Sequence, residues 1–301
     1  MTAPELPTIK RFPGAHAEPL AVVAVLGAGD VGSAVAHALF QSGHDVLLIE
    51  AEHPTAPRRG MCWVDAVFDG KATLLGLSAV RVFQPEDALQ ALGSRRWLPL
   101  VVAPDLPRWI DALGIAVVVD ARLRKHAAEQ PNLRLLAAHS VGIGPGYTAG
   151  YNASLVVESA WGDELGRVIR NGPTRALAGE PRPILGAGRE RLVYAPAAGT
   201  FHSPLQIGAV VQAGEEVGLV RTAQGDCLSL HAPLSGVLRG LTRSGVPVQP
   251  KTKLIEVDPR GDPALCFGLG ERPVRIAQGV LQAVVELQTA ARLQCRQPHA
   301  A

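Results

Sequence analysis

The sequence predicts an α/β fold class: a Rossmann-like parallel sheet domain, then a small all-β domain, then a C-terminal helix. Three observations predict it. The apolar run Val22 to Leu26 breaks into Gly27, Gly29 and Gly32 and continues as a helical stretch to Gln41. Short β-branched runs alternate with helix-like segments as far as Ala138, the pattern of a parallel sheet. Beyond Tyr194 the chain repeats itself: Ala195-Pro196-Ala197-Ala198-Gly199 matches Ala232-Pro233-Leu234-Ser235-Gly236, an offset of 37 residues that also aligns Val211 with Val248 and Val220 with Val257.

Residues 1–18 read as a flexible N-terminal segment, with charges and prolines but no apolar export signal, so a cytoplasmic location is expected. Residues 19–170 form the expected nucleotide-binding domain. Its first strand ends in a turn where Gly27 permits the bend, Gly29 lets backbone approach a pyrophosphate and Gly32 lets helix and strand pack closely. The helix that follows starts at Asp30, and its positive end favours an anion. A second strand, Asp45 to Ile49, ends on Glu50, placed to accept bonds from ribose hydroxyls.

The proline-rich stretch from Ala51 to Gly60 is a loop at the carboxyl edge of that strand. Its Arg58 and Arg59 either reach a phosphate or form a solvated surface pair. Met61 to Asp69 reads as a short helix. Within it, Cys62 is either a thiol activated by the two arginines or an inert buried residue beside Trp63. Strands are expected over Leu98 to Ala103, Ile115 to Val119 and Leu133 to Ala138, with a helix over Pro107 to Leu113. Asp120, followed by Arg122, Arg124 and Lys125, either orients a ligand or caps a helix. The loop holding Gly142, Gly144, Gly146 and Gly150 is either an anion-holding nest or a flexible crossover.

Residues 171–190 read as a linker rich in proline and glycine, and 191–258 as the repeated β domain. The latter resembles the barrel-sandwich hybrid of biotinyl and lipoyl carriers, except that its turn at Ala223-Gln224-Gly225-Asp226 has no carrier lysine. Residues 259–301 are a C-terminal helical segment. Ile276, Val280, Leu281, Val284 and Leu287 give it an apolar face for the first domain or for a homo-oligomer contact.

Composition excludes some classes. Of 301 residues, 47% are hydrophobic and 19% charged, enough apolar content for substantial cores. A net charge of +2 with 4% aromatic residues offers neither a basic stripe nor a stacking platform, so nucleic acid is not an expected partner. No apolar run is long enough for a membrane span. The four cysteines are widely spaced with no CxxC pair, and no metal-ligand motif is present, so no metal site is expected. No catalytic residue is identifiable by motif.

Gly27-Ala28-Gly29-Asp30, Ala36-His37, Glu50, Pro54, Arg58-Arg59, Asp120-Ala121, the run Gly142 to Gly150, Glu158, Leu165 to Ile169 and Asp258-Pro259-Arg260 together resemble the selenium-dependent molybdenum hydroxylase system protein family. Its Rossmann portion is related to the xanthine dehydrogenase accessory proteins. The resemblance implies an accessory or maturation factor, not an assigned enzyme. Such a factor would bind a nucleotide such as NAD(P), or the molybdenum cofactor, and partner a molybdenum hydroxylase or its maturation machinery. Asp163 departs from an expected histidine, and Met61-Cys62-Trp63 from a less bulky stretch. The alternatives are an NAD-dependent oxidoreductase, on the glycine and Glu50 pattern alone, and a non-enzymatic scaffold that uses the carrier-like domain for protein contacts.

Overall fold

The computed structural model describes residues 22–125, 127, 129–177 and 181–296, with side chains as far as 293. The expected flexible segment 1–18 lies outside the described residues. The chain runs β1 (Val22–Leu26), α1 (Asp30–Gln41), β2 (Val46–Glu50), α2 (Ala66–Asp69), β3 (Lys71–Leu74), β4 (Leu77–Val82), α3 (Pro85–Ser94), β5 (Leu98–Val102), α4 (Leu106–Leu113), β6 (Ile115–Asp120), β7 (His139–Ile143), β8 (Thr148–Ala149), β9 (Leu155–Val157), β10 (Val168–Ile169) and β11 (Gly172–Pro173). A second set follows: β12 (Leu192–Tyr194), β13 (Gly199–His202), β14 (Val210–Val211), β15 (Glu216–Arg221), β16 (Cys227–His231), β17 (Gly236–Leu241), β18 (Pro247–Val248) and β19 (Lys253–Asp258), then α5 (Glu271–Arg296).

Nine strands form one sheet in the order β10-β9-β7-β6-β1-β2-β5-β4-β3. Its interior pairs are parallel, while β3 runs antiparallel to β4 and β10 antiparallel to β9. The interior strands are apolar on both faces, which helices on both sides require. On one face α1 and α5 pack together over Val23, Val25, Val117 and Val119, with Trp63 sealed beneath them. On the other face Trp109 of α4, with Leu133 and Tyr147, covers Ala24, Leu47 and Val118.

The 37-residue repeat is visible in the strands. One antiparallel sheet is ordered β12-β19-β17-β14 and the other β16-β15-β13-β18, and the offset relates β13 to β17, β14 to β18 and β15 to β19. Phe201, Val220, Leu238 and Val257 fill the space between the sheets.

The expected architecture is therefore corrected. In place of a Rossmann-like parallel sheet domain followed by a small barrel-sandwich domain and a C-terminal helix, the protein is a mixed α/β structure: one large nine-stranded sheet with antiparallel margins plus several antiparallel sheets. Of the two places open to the apolar face of α5, it takes the first domain, where Ile276, Val280 and Val284 complete the core over α1. Two local expectations also change. Leu133 to Ala138 does not form a strand; Leu133–Leu135 is a single 3-10 turn, its N-terminus capped by Asn132, and the strand starts at His139. Gly172–Pro173, read as linker, pairs with β8.

Candidate anion-binding site

The parallel strands bring the turn after β1, Glu50 at the end of β2, Asp120 at the end of β6 and the glycine loop after β7 to one sheet edge. The turn is tightly built. Gly27 has φ +99°, and a Cβ on Gly32 would lie 1.8 Å from the Gly27 carbonyl oxygen, so only glycine lets α1 start there. Glu50 is occupied by the turn itself: the Ala28 N–H donates to its Oε2 at 2.6 Å and the Ala51 N–H to its Oε1 at 2.8 Å. Burial raises the Glu50 pKa, and these two N–H bonds offset the rise only in part.

Asp120 is enclosed as well. Arg122 donates to both of its oxygens, and the Tyr147 hydroxyl donates to Oδ2 at 2.7 Å. Burial opposes its ionisation, yet Arg122 and Tyr147 together hold its pKa below the usual carboxylate range. The same cluster pushes the Tyr147 hydroxyl up, burial first and the Asp120 charge next.

In the glycine loop the N–H groups of Gly144 and Gly150 donate to the Val157 and Ala153 carbonyls. A Cβ on Gly142 would lie 2.3 Å from Cγ of Tyr147, and one on Gly144 would lie 2.6 Å from Cβ of Thr174. Gly146, at φ +88°, has Gln130 Cγ 3.0 Å from its Cβ position. These glycines make room for side chains of this chain.

Arg58 and Arg59 diverge. Arg59 pairs with Asp65 of its own loop at 2.7 Å, away from the turn. Arg58 bridges the two parts of the molecule: it donates to Asp30 at 3.1 Å and, through Nε and Nη2, to Glu256 of β19 at 3.1 and 2.8 Å. Glu256 is fully buried and also receives Arg191 at 2.5 Å and Lys253 at 2.7 Å. Those cations outweigh burial and hold its carboxyl well below the usual range.

Above this floor the site opens, with side-chain exposures of 24% at Arg58, 29% at Asp30 and 31% at Lys253. Arg272, in the first turn of α5, donates through Nε to the Ser159 carbonyl at 2.8 Å. Its charge acts on Asp30, Arg58 and Glu158. Lys125 keeps surface open to solvent. Even so, protein crowding around its ammonium, then the charges of Arg272 and Lys253, hold its pKa down to about 8. Burial also lowers Lys253 and Arg272, in each case against the pull of nearby carboxylates. Asp30 responds in the opposite sense. Burial works against its charge, and Arg58, Lys253 and Arg272 prevail.

Five cations, Arg58, Lys125, Arg191, Lys253 and Arg272, thus act within one region on three carboxylates, Asp30, Glu158 and Glu256. Glu158 already accepts the backbone N–H groups of Ser159, Ala160 and Arg175. The arrangement leaves positive charge in excess beside the positive end of α1, the electrostatic condition for holding an anion.

Cys62 is not activated. It is buried, and burial with the charges of Asp30, Asp65 and Glu50 pushes its thiol up, since both neighbouring arginines are neutralised by carboxylates. Sequence reasoning missed Lys253, Glu256, Arg191 and Arg272, which lie far from the glycine turn along the chain. One signal was available. Under the repeat, Lys253, Glu256 and Asp258 of β19 replace Glu216, Leu219 and Arg221 of β15, so β19 carries the carboxylate of Glu256 where β15 has a half-buried leucine.

Fold and site together define a mixed α/β protein with a cationic site where a nine-stranded sheet meets a repeated β unit. No family model matches the chain. It is 34% identical over 269 residues to the uncharacterized protein YqeB of Escherichia coli strain K12, a match covering 88% of this chain and 48% of that protein. The chain thus spans about half the length of the curated relative it matches. Among solved structures it is similar to an aspartoacylase family protein from Mesorhizobium loti, at 14% identity and a TM-score of 0.24, covering 80% of this chain and 86% of that one. It is also similar to a succinylglutamate desuccinylase/aspartoacylase from Rhodobacter sphaeroides, at 19% identity and a TM-score of 0.22, covering 50% and 60%. A third is the product-bound ectoine utilization protein EutE (DoeB) from Ruegeria pomeroyi, at 12% identity and a TM-score of 0.26, covering 80% and 86%. Superpositions this slight carry no argument about fold or reaction.

These findings correct the family reading. None of these proteins is described as a molybdenum hydroxylase accessory factor, a selenium-dependent system protein, a dinucleotide dehydrogenase or a carrier-domain scaffold. The maturation role and its two alternatives are withdrawn. Among the described residues no three His, Cys, Asp or Glu side chains converge as a metal-holding group. No helix among them is long and apolar enough to cross a membrane.

Proposed function

We propose that this chain binds an anionic small molecule between the turn Gly27 to Asp30 and the cations Lys125, Lys253 and Arg272. The observation that carries this reading is the excess of positive charge: five cations share three carboxylates in a region where burial disfavours the charge on three of them. A structural ion-pair network would be expected to balance. This one carries an excess already at its floor, where Arg58, Arg191 and Lys253 converge on Glu256 with Asp30 beside Arg58.

Thermal unfolding in inorganic phosphate and inorganic pyrophosphate, each matched in ionic strength by sodium chloride, tests the reading. An anion that binds only the native state raises the midpoint in proportion to RT ln(1 + [L]/Kd). The expected result is a rise with either probe beyond the chloride control, lost in Lys125→Met. Midpoints that follow ionic strength alone would overturn it.

A further inference from the structure

Resting on the anion-site reading, we infer that residues 55–58 are a strap which the repeated β unit holds closed over the glycine turn, so that an anion reaches the turn only when the strap lifts. Closure is seen directly. A Cβ on Gly29 would lie 3.6 Å from Ala56 Cβ, ordinary van der Waals contact, so no phosphoryl oxygen fits between the two residues. Beside it, Arg58 Nη1 donates to Asp30 at 3.1 Å across the start of α1. Gly27 is covered too, by Arg122, whose Cγ lies 3.1 Å from the Cβ position of that glycine. The two covers differ in what holds them. Arg122 is fixed by Asp120 at the end of β6, in the same part of the molecule as the turn, whereas the strap is fixed from the other part.

That second anchorage consists of named bonds. The Leu241 N–H donates to the Pro57 carbonyl at 2.7 Å, and the Thr242 hydroxyl donates to the Thr55 carbonyl at 3.3 Å. Arg58 gives Nε and Nη2 to Glu256 of β19 at 3.1 and 2.8 Å. Pro57 sits against Gly240 of β17, where a Cβ would come within 3.3 Å of Pro57 Cβ, so the glycine lets the strap seat closely. Residues 51–53 before the strap are exposed, and Arg59 after it is tied to Asp65. The middle of the strap is therefore held by the β unit and by Asp30.

The repeat shows that the fold of the β unit does not itself require these anchors. The offset of 37 residues places Pro204 at the equivalent of Leu241, with no N–H to donate, and Leu219 at the equivalent of Glu256, with no carboxylate. The copy that faces the glycine turn carries the groups that hold the strap.

The test bridges strap to turn in the full chain. Gly29→Cys with Ala56→Cys sets two Cβ atoms 3.6 Å apart, a separation a disulfide spans, and Gly29 has φ −69°, which any residue adopts. The bridge is expected to form on mild oxidation, and the rise in unfolding midpoint caused by inorganic phosphate should be lost in the bridged protein and restored by reduction. A bridged protein that keeps the rise overturns the gate. A second readout needs no ligand: iodoacetamide labelling of the thiol introduced by Gly29→Cys alone, followed by peptide mass spectrometry so that native cysteines do not contribute. Adding Arg58→Met is expected to speed that labelling at least roughly tenfold where the protein is fully folded. Should that variant not fold, Thr242→Val, which loses a single hydrogen bond, is expected to speed it about threefold. Labelling at an unchanged rate overturns the strap. If neither phosphate nor pyrophosphate shifts the midpoint of wild type or of the reduced variant, the anion-site reading falls, and the labelling rates alone decide whether the β unit holds the strap.

Discussion

Replacing Glu256 by glutamine removes one negative charge and keeps the shape of the side chain. Glu256 is fully buried and receives four charged donors: Nε and Nη2 of Arg58, Nη1 of Arg191 and Nζ of Lys253, at 3.1, 2.8, 2.5 and 2.7 Å. In the variant, three cations face one another with a neutral amide between them. Asp30 retains its bond to Arg58, so the loss is partial. Removing one partner of a buried pair typically costs about 3–5 kcal/mol, and here the loss should lie in the upper part of that range. Against a total stability of roughly 5–15 kcal/mol, this is a large fraction. Urea unfolding followed by the fluorescence of buried Trp63 and Trp109 measures it. The pH dependence is a second readout. The folded pKa of Glu256 is depressed, so its contribution is complete above the unfolded value of 4.5 and is lost as pH falls from there through the folded value. The gap between wild type and variant should therefore close on acidification below about pH 4. A Glu256→Gln protein within about 1 kcal/mol of wild type at neutral pH, or a gap that does not change on acidification, would refute the keystone role of this carboxylate.

Lys125→Met should stabilise the unliganded protein. The folded pKa of about 8 lies below the ordinary lysine value of 10.5 that holds in the unfolded chain, so folding disfavours the charged form. That cost is fully present below pH 8 and fades as pH rises toward 10.5. Lys125 is open enough to solvent for screening to reduce the gain to about 1 kcal/mol near neutrality, which calorimetry would register as a midpoint a few degrees higher. No rise at pH 7, or a rise that persists at pH 11, counts against it. In wild type, phosphate binding should weaken as pH climbs through about 8, because the Lys125 ammonium, flanked by Arg272, Lys253, Arg58 and Asp30, gives up its proton. Tyr147→Phe removes the 2.7 Å bond to Asp120 and should cost about 1–2 kcal/mol in urea unfolding; an unchanged midpoint would mean that Arg122 alone satisfies Asp120. Gly32→Ala places a Cβ 1.8 Å from a backbone oxygen that cannot swing aside, and should cost at least about 3 kcal/mol or abolish soluble expression. A variant of native stability would show that the turn relaxes.

The parts of the fold that were legible are those whose signal is local. β1, the turn and α1 are announced by an apolar run, three glycines and a helix of small residues, all within one stretch. The repeat was legible because its two copies share turn residues at a constant offset, and α5 because its apolar positions recur along one face. The hairpin of β3 and β4 with α3 was not. Lys71 to Thr73 leave little apolar signal, and the turn is made by Leu75 and Gly76, both at positive φ. The glycine loop after β7 misled for a physical reason. Glycine density marks close approach, and sequence does not say whether the approaching group is a ligand or, as here, Tyr147 and Thr174. The site was half legible. Gly27, Asp30, Glu50 and Asp120 reach the same edge because strand ends of a parallel sheet must, but Glu50 and Asp120 are spent on Ala28, Ala51, Arg122 and Tyr147.

The distribution of charge separates a seam from a site. Where the two parts of the molecule merely meet, the charges are matched: Arg243 of one part with Asp69 and Asp65 of the other. Backbone bonds such as Leu241 N–H to the Pro57 carbonyl add to that seam without any charge. These contacts would join the parts with no help from Lys125 or Arg272. Those two cations sit at the open end of the same seam; the charge of Arg272 lowers the pKa of Lys125, and burial lowers both against the pull of Asp30. Charge that folding disfavours and the seam does not need is destabilising as it stands, and such residues concentrate where function requires them. That reasoning gives the expected gain in stability and loss of phosphate binding in Lys125→Met a single cause.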